Sequence, residues 1–396
     1  MTRPSLIGGK RAALESEIYF DNNATTPALP EVIESVTRAM ADGYGNPSSV
    51  HSAGGRARAL IQEAREHVAA LLRTSSDHVV FTSGATEANN LVLQSLVGRD
   101  FARYRLVTSS VEHSSILSAA DYLRSRGVEV IVLPVNAHGL VDLEAMVRAI
   151  EPGRTLVSIQ WANNETGVIQ PIEDLAERAR AAGALVHTDA VQAVGKISTN
   201  LTLLPIDFLS LSGHKLHGPL GSGALVGPGV CRLQPLTYGG SQEGSLRPGT
   251  ENVPAIVGLG RAFELRACRF DLVSEQTKRL KERFESRLLE KGLVAGINGG
   301  GAPRLPNTAN VRFTDIDGEA LTIRLDQVGV RCSQSSACTN QKPEPSYVLR
   351  ATGLSEAEAY ASVRFAFSEL NTAVEVDSAV DSITMIHASL ARFAVA

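Results

Sequence analysis

The chain has no apolar run approaching 18 residues, so the sequence predicts no membrane-spanning helix. It also lacks an excess of positive charge. The formal net charge is −4, which argues against nucleic acid as the main partner because binding a phosphate backbone requires a clustered basic surface. The opening segment lacks the apolar stretch of a signal peptide and carries Glu15 and Glu17. We therefore expect a protein that acts on small molecules or proteins, away from the membrane.

Cysteine is scarce as well. There are four, Cys231, Cys268, Cys332 and Cys338, and no two of them form a CxxC pair. Because a structural zinc site usually needs such a pair, we expect no metal site. Scattered thiols without a disulfide pattern are typical of a reducing compartment, and we expect a cytoplasmic protein.

The chain does have enough apolar material for a globular fold of more than one domain. Hydrophobic residues make up 43% of the 396 residues, and this length exceeds that at which a single core stops growing. The sequence pattern changes after about Val253. We predict a large domain over 25–260 and a smaller α+β domain formed by 1–24 and 261–396.

Short apolar runs alternate with helical patterns through the first of these regions. Several runs are almost continuous Val, Ile and Leu, which is typical of strands buried on both faces of a mainly parallel sheet. This alternation predicts an α/β fold class. The predicted strands are Val79–Thr82, Leu106–Ser109, Val128–Leu133, Leu156–Gln160, Leu185–Thr188, Phe208–Leu211 and Ala224–Val226.

The second region has a different pattern. We predict a long amphipathic helix over 256–291, which could break near Phe270–Asp271. Strand-like segments follow at 309–313 and 363–367. Helical patterns cover about 316–328 and 374–392.

Polar and small side chains recur where the predicted strands end. Ligands of α/β proteins collect in the crevice beyond the carboxyl ends of the strands, so five such ends together predict an active site. The five segments are Ser83-Gly-Ala-Thr86, Ser110-Val-Glu-His113, Trp161-Ala-Asn-Asn164, His187-Thr-Asp189 and Ser212-Gly-His-Lys215.

Lys215 is surrounded by small and apolar residues, where a lysine has no solvation reason to be. An amine held in such a site can lose its proton and attack carbonyl carbons. Asp189 and Lys215 could also be an ordinary surface pair, which is what a random Asp and Lys would form. Pyridoxal 5′-phosphate needs both a lysine and an acid beside its pyridinium nitrogen. We therefore predict that Lys215 holds this cofactor as a Schiff base.

The segment from Ser83 to Asn90 leaves a strand and opens a helix. Backbone N–H groups and the positive end of the helix dipole would then face an anion such as a phosphate. The alternative is a simple helix cap, in which a Ser or Thr hydroxyl caps the helix and Glu87 completes a capping box. Taken alone, the segment favours the cap.

Cys338 lies in a small, polar stretch that Pro343 and Pro345 close, which is typical of an exposed loop. Outside any apolar pattern, a cysteine is favoured as a reactive thiol. Cys332 ends an apolar stretch and is favoured as a core residue, with a second redox thiol as the alternative.

Together these motifs resemble the cysteine desulfurases of the NifS/IscS group, class V aminotransferase-like proteins of PLP fold type I. The resemblance covers nearly the whole chain. Its landmarks, besides the strand-end segments, are Asp21-Asn-Asn-Ala-Thr-Thr26, Gly45-Asn-Pro-Ser-Ser49, Glu165-Thr-Gly167, Ala190-Val-Gln192, Arg247-Pro-Gly-Thr250 and Ser335-Ser-Ala-Cys-Thr339.

The resemblance implies how the cofactor is held. Lys215 would form the Schiff base, Asp189 would hold the pyridine nitrogen, and His113 would stack on the ring. Gln192 would bind the ring hydroxyl. The phosphate ligands would be Ala85, Thr86, Ser212, His214 and, from a second subunit, Thr250. The resemblance therefore implies a homodimer with shared active sites.

The resemblance also implies the reaction. Asn164 and Arg364 would bind the carboxylate of L-cysteine, and Cys338 would take its sulfur as a persulfide, leaving L-alanine. The sulfur would go to an acceptor protein such as an iron–sulfur scaffold. Two departures put the acceptor in doubt: relatives usually carry a basic residue at the position of Glu369, and the C-terminal tail is short.

Other activities remain open. A selenocysteine lyase, a cysteine C–S lyase and an aminotransferase share this fold, and the first two can act without a mobile cysteine nucleophile. A non-catalytic partner in an iron–sulfur or thiolation complex is a different class. The presence of Lys215, Asp189, His113 and Cys338 together favours the desulfurase.

Overall fold

The structure is a computed structural model, and it describes residues 17–97, 104–334 and 344–394. Its strands are β1 (Ile18–Tyr19), β2 (Val79–Thr82), β3 (Arg105–Ser109), β4 (Glu129–Leu133), β5 (Thr155–Ser158), β6 (Leu185–Asp189), β7 (Phe208–Ser212), β8 (Gly223–Val226), β9 (Val294–Ile297), β10 (Thr308–Phe313), β11 (Val330–Arg331) and β12 (Ser362–Ala366). Its α-helices are α1 (Pro30–Asp42), α2 (Ser52–Leu72), α3 (Ala85–Val92), α4 (Ser114–Ser125), α5 (Leu143–Ala149), α6 (Ile172–Ala181), α7 (Val253–Glu290), α8 (Gly318–Gln327), α9 (Tyr347–Ala351), α10 (Glu356–Tyr360) and α11 (Ala373–Ala394).

A seven-stranded sheet forms the largest structural unit, with the strand order β2-β8-β7-β6-β5-β3-β4. The pairs from β7 through β4 are all parallel, whereas β8 runs antiparallel to both of its neighbours. The predicted α/β class with a mainly parallel sheet is therefore confirmed. All seven predicted strands are present in this sheet, with boundaries that differ by at most two residues.

Both faces of this sheet are buried, which explains the continuous apolar runs in the sequence. Side chains alternate across a strand, so Val79 and Phe81 pack in one hydrophobic cluster while Val80 packs in another on the opposite face. Helices cover the two faces. The parallel direction of the strands brings their carboxyl ends to one edge of the sheet, where the polar segments follow.

A separate hydrophobic cluster lies around three antiparallel strands in the order β12-β10-β9. Four phenylalanines pack at its centre with ring centroids 4.6 to 6.3 Å apart, namely Phe20, Phe284, Phe365 and Phe367. Strand β1 pairs in parallel with β11, so the segment before Asp21 contacts this part of the chain. The predicted domain boundaries remain a prediction.

Helix α7 runs without interruption from Val253 to Glu290, so the break considered near Phe270–Asp271 is wrong. The buried positions continue through Arg266, Val273, Thr277, Leu280 and Phe284, at helical spacing on either side of that point. This one helix contributes its first half to the cluster on the large sheet and its second half to the phenylalanine cluster. Within the described ranges, no helix is long and apolar enough to cross a membrane.

Candidate active site

A cavity of about 340 Å³ lies at the carboxyl edge of the large sheet. All five polar strand-end segments contribute to its wall, as the sequence predicts. The lining residues include Ser83, Thr86, His113, Asn164, Asp189, Ser212, His214, Lys215 and Arg364. A cavity of this size accommodates a small organic ligand.

Lys215 ends a short 3-10 turn, Gly213–Lys215, that directly follows β7. Its Nζ donates hydrogen bonds to the backbone oxygens of Asn23 and Ala24, at 2.5 and 2.7 Å. These oxygens belong to the segment that crosses from β1 to α1. The amine is therefore held at the cavity wall by carbonyl groups from a part of the chain nearly 200 positions earlier.

Asp189 ends β6 and is 7% exposed. Its carboxylate accepts a hydrogen bond from the amide of Asn89 at 2.8 Å and another from the backbone N–H of Val191 at 3.0 Å. Both donors are neutral, and in the described part of the chain no basic side chain forms an ion pair with this carboxylate. The site thus holds a buried acid that can receive a cationic N–H from a ligand.

His113 is the N-cap residue of α4. Its Nδ1 accepts the backbone N–H of Ser115 at 3.1 Å and lies 2.8 Å from the Ser115 hydroxyl. Because Nδ1 accepts a backbone N–H, the proton of the neutral ring lies on Nε2. The same Ser115 hydroxyl receives a hydrogen bond from Asn89, so the histidine and Asp189 share one network.

The N-terminus of α3 forms another part of the cavity wall. Gly84 is its N-cap residue, and no side chain of the described residues caps the helix, so the predicted hydroxyl cap is wrong. Glu87 accepts the backbone N–H of Ser83 at 2.7 Å, as one half of a capping box would. At Gly84, φ is +157°, and an added Cβ would approach the Ser212 hydroxyl at 3.7 Å. The missing cap and the missing side chain leave an open cradle at a helix N-terminus.

His214 and Ser212 flank this cradle. The Nδ1 of His214 lies 3.1 Å from the Thr25 hydroxyl. Burial, with the nearby charges of Lys215 and Lys196, lowers the pKa of His214 to about 4. The ring is therefore neutral at neutral pH and can donate or accept a hydrogen bond.

His217, which the sequence motifs leave unassigned, lies just after the same turn. Its Nδ1 lies 2.7 Å from the Pro27 backbone oxygen, and burial lowers its pKa to about 4.

Arg364 lies on β12, at the opposite side of the cavity, and is 1% exposed. One terminal nitrogen contacts Asp21 at 2.7 Å and the other donates to the backbone oxygen of Asn164 at 3.2 Å. Its Nε is buried and has no hydrogen-bond partner among the described residues. A buried donor without a partner is costly, so this guanidinium fits a site for an anionic group.

One predicted site residue that the structure describes is not part of this cavity. Thr250 is exposed and does not line the cavity of its own chain. Cys338 lies outside the described residues, so its predicted position relative to the cavity is untested. Cys332 packs against the phenylalanine cluster, as expected for a core residue, and burial raises its thiol pKa to about 12.

The sequence analysis missed four residues that hold the site together. Asn89 and Ser115 connect Asp189 with His113, and Asn23 and Lys196 contact Gln192. Three of them lie inside or beside segments that the analysis singled out. Their polar type and, for these three, their place in or beside the motifs were the available signals, since most of their partners are far away in the sequence.

Comparison with known proteins agrees with this geometry. Residues 18–378 match the family described as Aminotransferase class-V. The "Cysteine desulfurase" of Trichormus azollae is 42% identical over 366 residues, which cover 92% of each chain.

Two solved structures are similar in three dimensions. One, described as "NIFS-LIKE PROTEIN", has a TM-score of 0.88 and 36% identity, covering 94% of this chain and all of its own. The other, "SspA in complex with cysteine", has a TM-score of 0.80 and 36% identity, covering 90% of this chain and all of its own.

The fold and the site are thus those of the class V aminotransferase family, and the chain belongs to that family. The relatives named above include a cysteine desulfurase and a NifS-like protein, and the fold is PLP fold type I, which confirms the resemblance found in the sequence.

Pyridoxal 5′-phosphate is the cofactor of this family, and the cavity fits it. An amine, a buried acid without a basic partner and an uncapped helix N-terminus surround one space. These groups match the aldehyde, the pyridinium nitrogen and the phosphate of the cofactor, respectively.

Proposed function

We propose that this protein is a pyridoxal-phosphate-dependent cysteine desulfurase that converts L-cysteine to L-alanine. The observation that carries the proposal is the meeting of Lys215, Asp189 and Arg364 at one cavity. Lys215 supplies the amine and Asp189 the acid that the cofactor needs. Arg364 supplies a cation for the carboxylate of an amino acid. The named relatives and the cysteine complex of a similar structure support the same activity.

The family resemblance assigns the cofactor-binding residues, and their surroundings support the assignment. Lys215 binds the aldehyde carbon, Asp189 the ring nitrogen and Gln192 the ring hydroxyl. His113 stacks on the ring. The phosphate is bound by Ala85 and Thr86 at the N-terminus of α3, together with Ser212, His214 and Thr250 of a second subunit. The open cradle at Gly84 supports this placement of the phosphate.

The substrate carboxylate is bound by Arg364 and Asn164. The unpartnered Nε of Arg364 supports this role, because a carboxylate oxygen would satisfy it. Asp21 occupies a terminal nitrogen of the same guanidinium and fixes its plane. The substrate is then oriented with its α-carbon toward Lys215.

The cofactor, when bound, withdraws electrons from the α-carbon of the amino acid. The Lys215 amine takes the α-proton, and the carbonyls of Asn23 and Ala24 direct that amine toward the cavity. The Cys338 thiolate attacks the substrate sulfur, so that an S–S bond forms while the carbon–sulfur bond breaks. Cys338 keeps the sulfur as a persulfide, and the carbon skeleton leaves as L-alanine after protonation.

The proposal also covers the oligomeric state, the location, the domains and the sulfur acceptor. The protein acts as a cytoplasmic homodimer, and the exposed position of Thr250 supports its use by a second subunit. A large domain over 25–260 carries the cofactor, and the small domain formed by 1–24 and 261–396 carries the cysteine loop. The persulfide sulfur passes to an acceptor protein, such as a scaffold for iron–sulfur cluster assembly.

The test is the release of sulfide and alanine from L-cysteine in the presence of a reductant. We expect equal amounts of both products from the wild type and neither from Lys215→Ala or Cys338→Ala. Cys231→Ala is the matched control, because Cys231 is an exposed cysteine away from the cavity and should keep full activity. Full activity of Cys338→Ala, with pyruvate in place of alanine, would instead identify a C–S lyase.

A further inference from the structure

Lys196 is a second amine next to the active site, and neither the sequence motifs nor the proposed mechanism uses it. Burial lowers its pKa well below the usual lysine value. The charges that act on it, those of Lys215, Arg266 and Arg364, are all positive and lower the pKa further. A lysine kept in such surroundings loses hydration without gaining an acidic partner in the described part of the chain. Its hydrogen bonds to neighbouring residues must therefore explain why a lysine is found at this position.

Its shortest contact is with Gln192. The Lys196 Nζ donates to the Oε1 of Gln192 at 2.5 Å and to the Oδ1 of Asn23 at 3.1 Å. Gln192 and Lys196 stand four positions apart in the turns that follow β6.

These contacts decide which way the Gln192 amide faces. The Oε1 is occupied by a lysine amine, and the Nε2 donates to the backbone oxygen of Asn23 at 3.0 Å. A carbonyl oxygen can only accept, so both neighbours select the same orientation of the amide. The NH₂ group has two hydrogens, and only one bonds to Asn23. The second hydrogen has no acceptor within the described ranges, and Gln192 lines the cavity.

We propose that Lys196 is a positioning residue that holds the Gln192 amide with its NH₂ group toward the ring hydroxyl of the cofactor. Without Lys196, only the backbone oxygen of Asn23 selects this orientation, so a half-turn of the amide, which presents its oxygen instead, costs less free energy. Two acceptor oxygens would then face each other, and the hydrogen bond would be lost. This inference rests on the proposed role of Gln192 as a ligand of the cofactor.

The segment around Asn23 couples Lys196 with Lys215 as well. The backbone oxygen of Asn23 accepts a hydrogen bond from Lys215, and its side-chain oxygen accepts one from Lys196. Its own amide donates to the Thr308 hydroxyl at 2.9 Å and to the backbone oxygen of Asn164 at 3.1 Å, which fixes the side chain from the other end. Asn23 is 1% exposed, so this junction is fully packed. Lys196 is therefore held by a fixed side chain as well as by Gln192.

The experiment is a titration of the cofactor-free protein with pyridoxal 5′-phosphate, read by the visible absorbance of the bound cofactor. We expect Lys196→Met and Gln192→Ala each to weaken binding about tenfold, the effect of one lost hydrogen bond. The double variant should bind no more weakly than Gln192→Ala, because the two residues act through one contact. Lys281→Met is the matched control: Lys281 is also buried and donates to a backbone oxygen, on Leu305, but it lies outside the cavity lining.

Two outcomes separate this inference from the proposed function. If Gln192→Ala binds as the wild type does, the proposed role of Gln192 is wrong. If Gln192→Ala weakens binding and Lys196→Met does not, or if the two effects multiply in the double variant, only the role of Lys196 is overturned.

The arginine of Lys196→Arg still has N–H donors at this position. This variant therefore tests the proposal even if Lys196→Met does not fold. We expect its bound cofactor to absorb at the wild-type wavelength, whereas the Gln192→Ala spectrum shifts. A folded Lys196→Arg protein with the Gln192→Ala spectrum would overturn the proposal.

Discussion

Asn89 donates a hydrogen bond to the carboxylate of Asp189 at 2.8 Å, although the two residues are 100 positions apart. The same amide donates to the Ser115 hydroxyl, which in turn contacts His113. Asn89 is fully buried. One neutral side chain therefore fixes the orientation of the acid and, through Ser115, of the histidine.

Replacing Asn89 by leucine should destabilise the protein, because the buried Asp189 carboxylate then loses one of its donors. We expect the free energy of unfolding to fall by about 1–3 kcal/mol, the cost of leaving a buried polar group without its partner. Urea denaturation measures this change. Asn90→Leu is the control, since its amide bonds to near neighbours along the chain, the backbone oxygen of Thr86 and the side chain of Gln94, and it should cost less. Equal losses in the two variants would contradict the prediction.

Glu112 should make stability depend on pH. Burial raises its pKa from 4.5 to about 8, although hydrogen bonds from Ser109 and the Gln160 N–H oppose the shift. Between these values the folded protein holds a proton that the unfolded chain has released. The contribution of Glu112 to stability is therefore complete below about pH 4.5 and is lost as the pH rises through 8.

Glu112→Gln tests this directly, because it keeps the shape of the side chain and cannot ionise. The free energy of unfolding of the wild type relative to this variant should decrease by up to about 1.4 kcal/mol per pH unit in that interval. Denaturation at pH 5, 6.5 and 8 measures the trend. Glu34→Gln, at an exposed position, should show no such trend. Parallel pH profiles for the wild type and Glu112→Gln would refute the shifted pKa.

Glu369 forms a buried ion pair with Arg266 at 2.8 Å, and Arg266 is 6% exposed. This explains an unusual feature of the sequence, in which an acid replaces the basic residue expected from the family resemblance. A second arginine, Arg269, lies 3.9 Å from the other carboxylate oxygen. The acid therefore compensates two positive charges on α7.

Glu369→Gln should cost about 3–5 kcal/mol of unfolding free energy, because it leaves the Arg266 charge buried without a counter-charge. Guanidinium chloride denaturation gives this value. Glu34→Gln removes one partner of the exposed Arg38–Glu34 pair and should cost at most about 1 kcal/mol. If Glu369→Gln loses no more unfolding free energy than Glu34→Gln does, the Glu369–Arg266 pair does not contribute to stability.

Much of the fold was predictable because it depends on local patterns. The buried strands of the large sheet are apolar on both faces, and all seven were recognised from that pattern alone. The long helix α7 was recognised by its spacing, but its continuity was not. A local pattern near Phe270 suggested a break, whereas packing on both sides of that point keeps the helix intact.

The candidate site also has features that local patterns predict and features that they do not. Lys215, Asp189 and His113 were predictable because polar residues at the ends of buried strands have no structural reason to be there. The absence of a side-chain cap at Gly84 was not predictable, since the sequence offers several hydroxyl groups nearby and only the three-dimensional path of the chain decides whether one reaches the helix N-terminus.

By itself, therefore, the sequence determined the class of fold, the edge of the sheet at which the site lies and the chemistry of its principal residues. These follow from hydrophobic periodicity and from residue type, which are local properties. Only the tertiary structure decided which partner each polar group has: Asn89 for Asp189, Asn23 for Lys215 and Lys196, and Glu369 for Arg266. Hydrogen bonds and charge compensation depend on distances between atoms that folding brings together, and no spacing along the chain contains them.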